Sequence, residues 1–154
     1  MKVGILMGST SDESKMLKAK ETLEEFGIEC DWRVLSAHRN PHQVVELVAS
    51  ARENGYVAFI CGAGMAAHLA GVVAAHTTLP VVGVPMSGGA LNGQDALYAT
   101  VQMPKGVPVA TMSVGKAGSI NAAILCAEIF GLVDSKISNK LKIFKNNGST
   151  LVGL

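Results

Sequence analysis

The chain has almost no net charge: 13 lysines and arginines stand against 12 aspartates and glutamates over 154 residues, leaving +1. Such a balance makes no field able to hold nucleic acid or an anionic membrane, so neither is expected as a partner. Cysteine is equally scarce. Cys30, Cys61 and Cys126 are odd in number, widely spaced and without a CxxC pair, which speaks against a disulfide framework or a zinc knuckle. They are expected as small buried apolar residues in a reducing compartment, and a cytoplasmic location follows. Seven aromatic residues leave none for the loops discussed below, so nothing is offered to sandwich a flavin. "GAGMAAH" lacks the third glycine of a dinucleotide-binding GxGxxG loop. No carboxylate cluster joins the four histidines, and the expectation is chemistry with no metal and no cofactor.

Charge is absent altogether from residues 55 to 94, and the window 56–75 has the length of a membrane span. It contains Gly62, Gly64, His68 and Gly71, however, and "YVAFICGAG" has the form of a strand running into a turn. A sheet buried on both faces explains such a continuously apolar strand without a membrane.

Short apolar runs recur along the chain: "KVGILM" (2–7), "CDWRVL" (30–35), "VAFIC" (57–61), "VVGV" (81–84) and "VPVATM" (107–112). Helical spacing fills the gaps between them. Met16, Leu17, Ala19, Leu23 and Phe26 mark the first helix, which Gly27 can end. In the second, Asn40 is placed as N-cap, Pro41 at the first helical position and Gly55 as the stop. "MAAHLAGVVAAH", "LNGQDALYATVQ" and "SINAAILCAEIFG" complete the alternation. Five strands alternating with helices predict one three-layer α/β domain over residues 1–154, a parallel sheet with right-handed crossovers and helices on both faces. The polar tail, about 134–154, is expected either to form a helix that packs on a neighbour or to fray. The hydrophobic share of 49% exceeds what a small monomer needs to bury, which predicts a homo-oligomer.

In open parallel sheets ligands bind beyond the carboxyl ends of the strands. Here each of those ends carries an unusual loop: "GSTSD", "SAHRNP", "GAGMAAH", "MSGGALNG" and "SVGKAGS". Glycine lets backbone N–H groups approach an anion, and helix N-termini point free donors at it. A plain helix cap also explains the first loop, since Thr10 with Glu13, or Ser9 with Asp12, fits a capping box. Arg39 at the same crevice suits a phosphate partner, while Asp12 would repel phosphate and suits ribose hydroxyls. His38 falls between a strand end and a helix start, flanked by Ser36 and Arg39, where a proton-transferring imidazole belongs. His68 fits equally a polar core residue or a second crevice group, and His42 and His76 fit helix surfaces or ends.

Taken together and in order, "MGSTSD", "SAHRNP", "GAGMAAHLAG" and "QMPKGVPVAT" make the chain resemble the N5-carboxyaminoimidazole ribonucleotide mutase family of purine biosynthesis, from about residue 2 to residue 130. The resemblance implies a flavodoxin-like fold, an octamer and a small ribonucleotide substrate. It places the catalytic histidine on His38 and substrate-binding residues on Ser9, Asp12 and Arg39. Gly8, Ser11 and Ser36 would line the phosphate and ribose, and Gly64 and His68 would border the imidazole and carboxylate. The commoner form of these motifs has glycine and proline where Met65 and Ala70 stand, and threonine in place of Asn40. A related branch that carboxylates aminoimidazole ribonucleotide directly typically has lysine after the motif histidine, so Arg39 favours the mutase. A non-enzymatic nucleotide- or FMN-binding module on the same fold is the alternative of another class.

Overall fold

The computed structural model describes residues 1–152. Its strands are β1 (Lys2–Met7), β2 (Glu29–Val34), β3 (Tyr56–Gly64), β4 (Val81–Met86) and β5 (Ala110–Thr111). The helices are α1 (Glu13–Phe26), α2 (Pro41–Ala49), α3 (Leu69–Ala75), α4 (Gln94–Val101), α5 (Lys116–Phe130) and α6 (Ser135–Asn146). All strand pairs are parallel, in the order β2-β1-β3-β4-β5. This is the expected flavodoxin-like α/β architecture. The order reverses direction at β1 and β3, which creates a crevice beyond their carboxyl ends where the flanking helices diverge.

The sheet is buried on both sides, and alternation within each strand decides which side chain meets which layer. In β3, Ala58 and Ile60 join Met16, Leu23, Ala123, Cys126 and Phe130 under α1 and α5. Phe59 and Cys61 point the other way, against Val44, Val48, Leu69 and Val73 of α2 and α3. Within the uncharged stretch, β3, β4 and the inner face of α3 are therefore core. Residues 56–75 divide into β3 and α3, and among the described residues no helix is long and apolar enough to cross a membrane. Burial raises the Cys126 thiol to about 12 and pushes Cys61 up as well, so both behave as apolar core groups.

Three boundaries depart from expectation for local reasons. The second helix stops at Ala49, short of the expected Gly55: the Ser50 hydroxyl donates to the Glu46 carbonyl at 3.1 Å and residues 50–55 continue as turns. The fifth strand shrinks from six expected residues to Ala110–Thr111, because Pro108 has no N–H to give the ladder and the strand lies at the sheet edge. Pairing continues one residue further through Met112 N–H to the Gly83 carbonyl at 2.9 Å. The third helix starts at Leu69, four residues later than "MAAH" suggested, since Met65 has φ +53° and cannot open a right-handed helix. The tail forms α6 and packs within the chain. Asp134 caps it by accepting from Lys136 and Ile137 N–H groups at 2.8 and 3.2 Å, and Ile137 and Phe144 are buried in the α1–α5 layer.

Candidate active site

A cavity of about 370 Å³ opens at the carboxyl end of the sheet. Its walls come from the loops after β1, β2, β3 and β4, and they include Gly8, Ser9, Ser11, Asp12, Ser36, His38, Arg39 and Gly64. Eight of the nine residues singled out from sequence thus line one space. The ninth, His68, is not among the lining residues but is tied to one of them, with Nδ1 2.8 Å from Nε2 of His38.

The loop after β1 is shaped by its own hydroxyls. Ser9 Oγ accepts from the Ser11 N–H at 3.2 Å and from the Ser11 hydroxyl at 2.9 Å, capping a single 3-10 turn at Thr10–Asp12. Ser9 is therefore a simple cap of this turn, and neither expected capping box, Ser9 with Asp12 or Thr10 with Glu13, is formed. Asp12 occupies the N-cap of α1 without using its carboxylate as a cap. Asp12 is only 8% exposed as a residue, and burial raises its pKa above the ordinary value while Lys15 pulls it down. A Cβ built at Gly8 meets no protein atom within 4 Å, so the missing side chain leaves room at the crevice rather than relieving a clash.

After β2, Ser36 Oγ accepts from the backbone N–H groups of both His38 and Arg39 at 3.2 Å. Asn40 does not cap α2 with its side chain as expected; its Oδ1 accepts instead from Ser36 N–H at 3.3 Å, closing the loop on itself. Ser36 therefore orders the segment that presents His38 and Arg39. Both of those side chains are exposed. His42, four residues beyond His38, already lies in α2, while His38 lies in the preceding loop, so they do not share a helix face.

The histidine pair bridges the loops after β2 and β3. The rings are nearly perpendicular, 85° between planes with centroids 4.9 Å apart. Their short N···N contact needs one nitrogen as donor and the other as acceptor. Two imidazolium rings would set N–H against N–H, so the pair holds at most one positive charge while the contact lasts. Such a pair can pass a proton outward and accept it back.

Lys15 and Ser87 went unnamed in the sequence, and Met65 was named only as a motif departure. Lys15 reaches from the first turn of α1 to Ser87 in the loop after β4, placing Nζ 2.8 Å from the Ser87 carbonyl and 3.0 Å from its hydroxyl. The spacing of Lys15 three residues beyond Asp12 puts the two on one helix face, a signal available in the sequence. Met65, 60% exposed, extends over Gly89, whose own φ is +64°. A left-handed conformation at a methionine costs about 1 kcal/mol, a strain that glycine at the same position would not carry.

The fold and crevice define an open-sheet α/β protein with a cavity at the topological switch point. The AIR carboxylase family model matches residues 2–150. The chain belongs to this family. It is 50% identical to the N5-carboxyaminoimidazole ribonucleotide mutase of Vibrio vulnificus, covering 95% of this chain and 91% of that protein. Identity to the enzyme of the same name from Bacillus subtilis is also 50%, over 94% of this chain and 90% of the relative. The crystal structure of Treponema denticola PurE superposes with a TM-score of 0.87 at 30% identity, covering 96% of this chain and 91% of that one.

Proposed function

We infer that the chain is an isomerase of purine biosynthesis that converts N5-carboxyaminoimidazole ribonucleotide to 4-carboxy-5-aminoimidazole ribonucleotide. The observation that carries the site assignment is the convergence of Ser9, Asp12, His38 and Arg39 on one cavity, with His38 paired to His68. Family membership supplies the reaction.

The proposed roles follow from the chemistry of each group. Arg39 and the Ser9, Ser11 and Ser36 hydroxyls take the 5′-phosphate, Gly8 admits it, and Asp12 accepts from ribose hydroxyls. Gly64 and His68 border the imidazole. His38, as imidazolium, gives its proton to the carbamate nitrogen as that C–N bond breaks and carbon dioxide leaves. The electron-rich ring carbon C4 then attacks the carbon dioxide, and neutral His38 removes the C4 proton. One proton leaves the histidine and one returns, so the cycle closes without a cofactor. What remains is to hold carbon dioxide against the ring, a matter of proximity and closure.

The assigned protein is one domain, cytoplasmic and homo-octameric, acting on its ribonucleotide with no nucleic acid or membrane partner. The decisive assay follows conversion of the carbamate without ATP or added bicarbonate, using wild type and His38→Asn. The variant is expected to fold and bind ribonucleotide but to lose at least ~100-fold in turnover, the low end for general acid–base catalysis. Near-normal turnover would remove His38 from the role. Forward activity only with aminoimidazole ribonucleotide and high bicarbonate would reassign the chain to direct carboxylation.

A further inference from the structure

The strand order β2-β1-β3-β4 lays the cavity-lining loops side by side. Arg39 belongs to the β2 end, Asp12 to β1, Gly64 and His68 to β3, and the Lys15–Ser87 pair to the β4 end. The cavity thus has a cation at each flank, a guanidinium at one and an ammonium at the other. The ribonucleotide proposed above also has an anion at each end, with phosphate, ribose, imidazole and carboxylate in that linear order. With phosphate on Arg39 and ribose on Asp12, the imidazole falls at the β3 loop and the carboxylate reaches Lys15.

We propose that Lys15 is a specificity residue that recognises the carboxylate of the ribonucleotide, an assignment that rests on the mutase reading of the site. Lys15 lines the cavity, and Ser87 fixes its ammonium through carbonyl and hydroxyl. Those two contacts use two of three N–H donors, and the third remains for an anion. Asp12, the acidic neighbour that acts on Lys15, is directed by this reading to the ribose. Arg39 cannot serve both ends of a nucleotide that spans four strand ends.

The chemistry sets the kinetic signature. Substrate and product are both carboxylates, whereas free carbon dioxide between them is neutral. A cation over the carboxylate therefore strengthens binding of both end states and does nothing for the step that discharges the carboxylate. Lys15 governs affinity and selection, not the rate of chemistry.

The test is calorimetry with two ligands, the carboxylated product and aminoimidazole ribonucleotide, on wild type, Lys15→Met and Lys15→Gln. The methionine keeps the apolar stem, and the glutamine keeps an N–H donor for Ser87 without the charge. Both variants are expected to bind the carboxylated ligand at least about tenfold more weakly, the loss typical of a charge-assisted contact. Aminoimidazole ribonucleotide should bind within about twofold of wild type. In assays KM rises and kcat does not fall, because the lost contact is stronger in the carboxylate states than where the carboxylate is discharged, and Lys15→Arg restores part of the selectivity. Equal weakening for both ligands would make Lys15 merely a strut for the Ser87 loop and overturn the proposal, as would unchanged binding of the carboxylated ligand. Wild-type protein that binds neither ribonucleotide would overturn the mutase reading itself, a result distinct from loss of selectivity alone.

Discussion

Asp12 shows how a single residue sets function against stability. Burial raises its pKa from an ordinary value of 3.8, with Lys15 opposing, so the folded protein holds the protonated form more tightly than the unfolded chain does. The associated stabilisation is fully present below the unfolded pKa and is lost as pH rises through the raised folded value. At neutral pH the buried carboxylate is thus a cost to the fold, tolerated because the crevice uses it. Asp12→Asn is expected to raise the melting temperature of ligand-free protein at pH 7, with the gain shrinking as pH falls through the raised folded value and gone below the ordinary 3.8. The same variant should raise KM strongly. A melting curve unchanged at pH 7, or a gain that persists at low pH, would contradict this account. The glycine- and serine-rich turn and the His38–Arg39 pair were visible in the sequence because loops at strand ends have few structural reasons to carry such groups. Lys15 had only its i+3 spacing from Asp12 to mark it, because an ammonium on an amphipathic helix ordinarily faces solvent and its partner Ser87 lies 72 residues away.

At the scale of elements, order and type were legible and ends were not. Periodicity reports which residues face the core, and it marked five strands and the helices between them at nearly their observed places. It could not foresee that an edge position with Pro108 would reduce β5 to two residues, or that Met65 would hold α3 back to Leu69. Nor did the polar composition of the last element decide between packing and fraying. Two buried side chains decide it: Ile137 and Phe144 turn inward, and Phe144 meets Phe26 edge-on at 5.8 Å between ring centroids. Phe144→Ala removes a core aromatic and should cost about 3 kcal/mol or more in chemical denaturation. None of the cavity-lining residues belongs to α6, so turnover measured well below the unfolding transition should match wild type. A variant with native stability would mean that α6 contributes little to the α1–α5 layer.

For the whole molecule, the apolar surface left over after folding points to assembly. On α4, Tyr98 and Val101 are three residues apart on one face and remain 64% and 48% exposed. They flank β5, a two-residue strand at the sheet edge. Beyond α5, Leu132 and Val133 are more exposed still. A monomer gains nothing from keeping large aliphatic and aromatic groups in water beside an unextended sheet edge, whereas a second copy of the chain would cover them by ordinary hydrophobic burial, as the proposed assembly requires. With near-zero net charge, copies do not repel one another strongly. Light scattering at micromolar concentration is expected to give roughly eight times the 16.0 kDa chain mass. Replacing Tyr98 and Val101 together by aspartate places like charges at the α4 face and should shift the distribution to smaller species without unfolding the protomer, as read by circular dichroism. A wild-type monomer would refute assembly outright. An intact octamer in the double variant would leave assembly standing and move the contact away from α4.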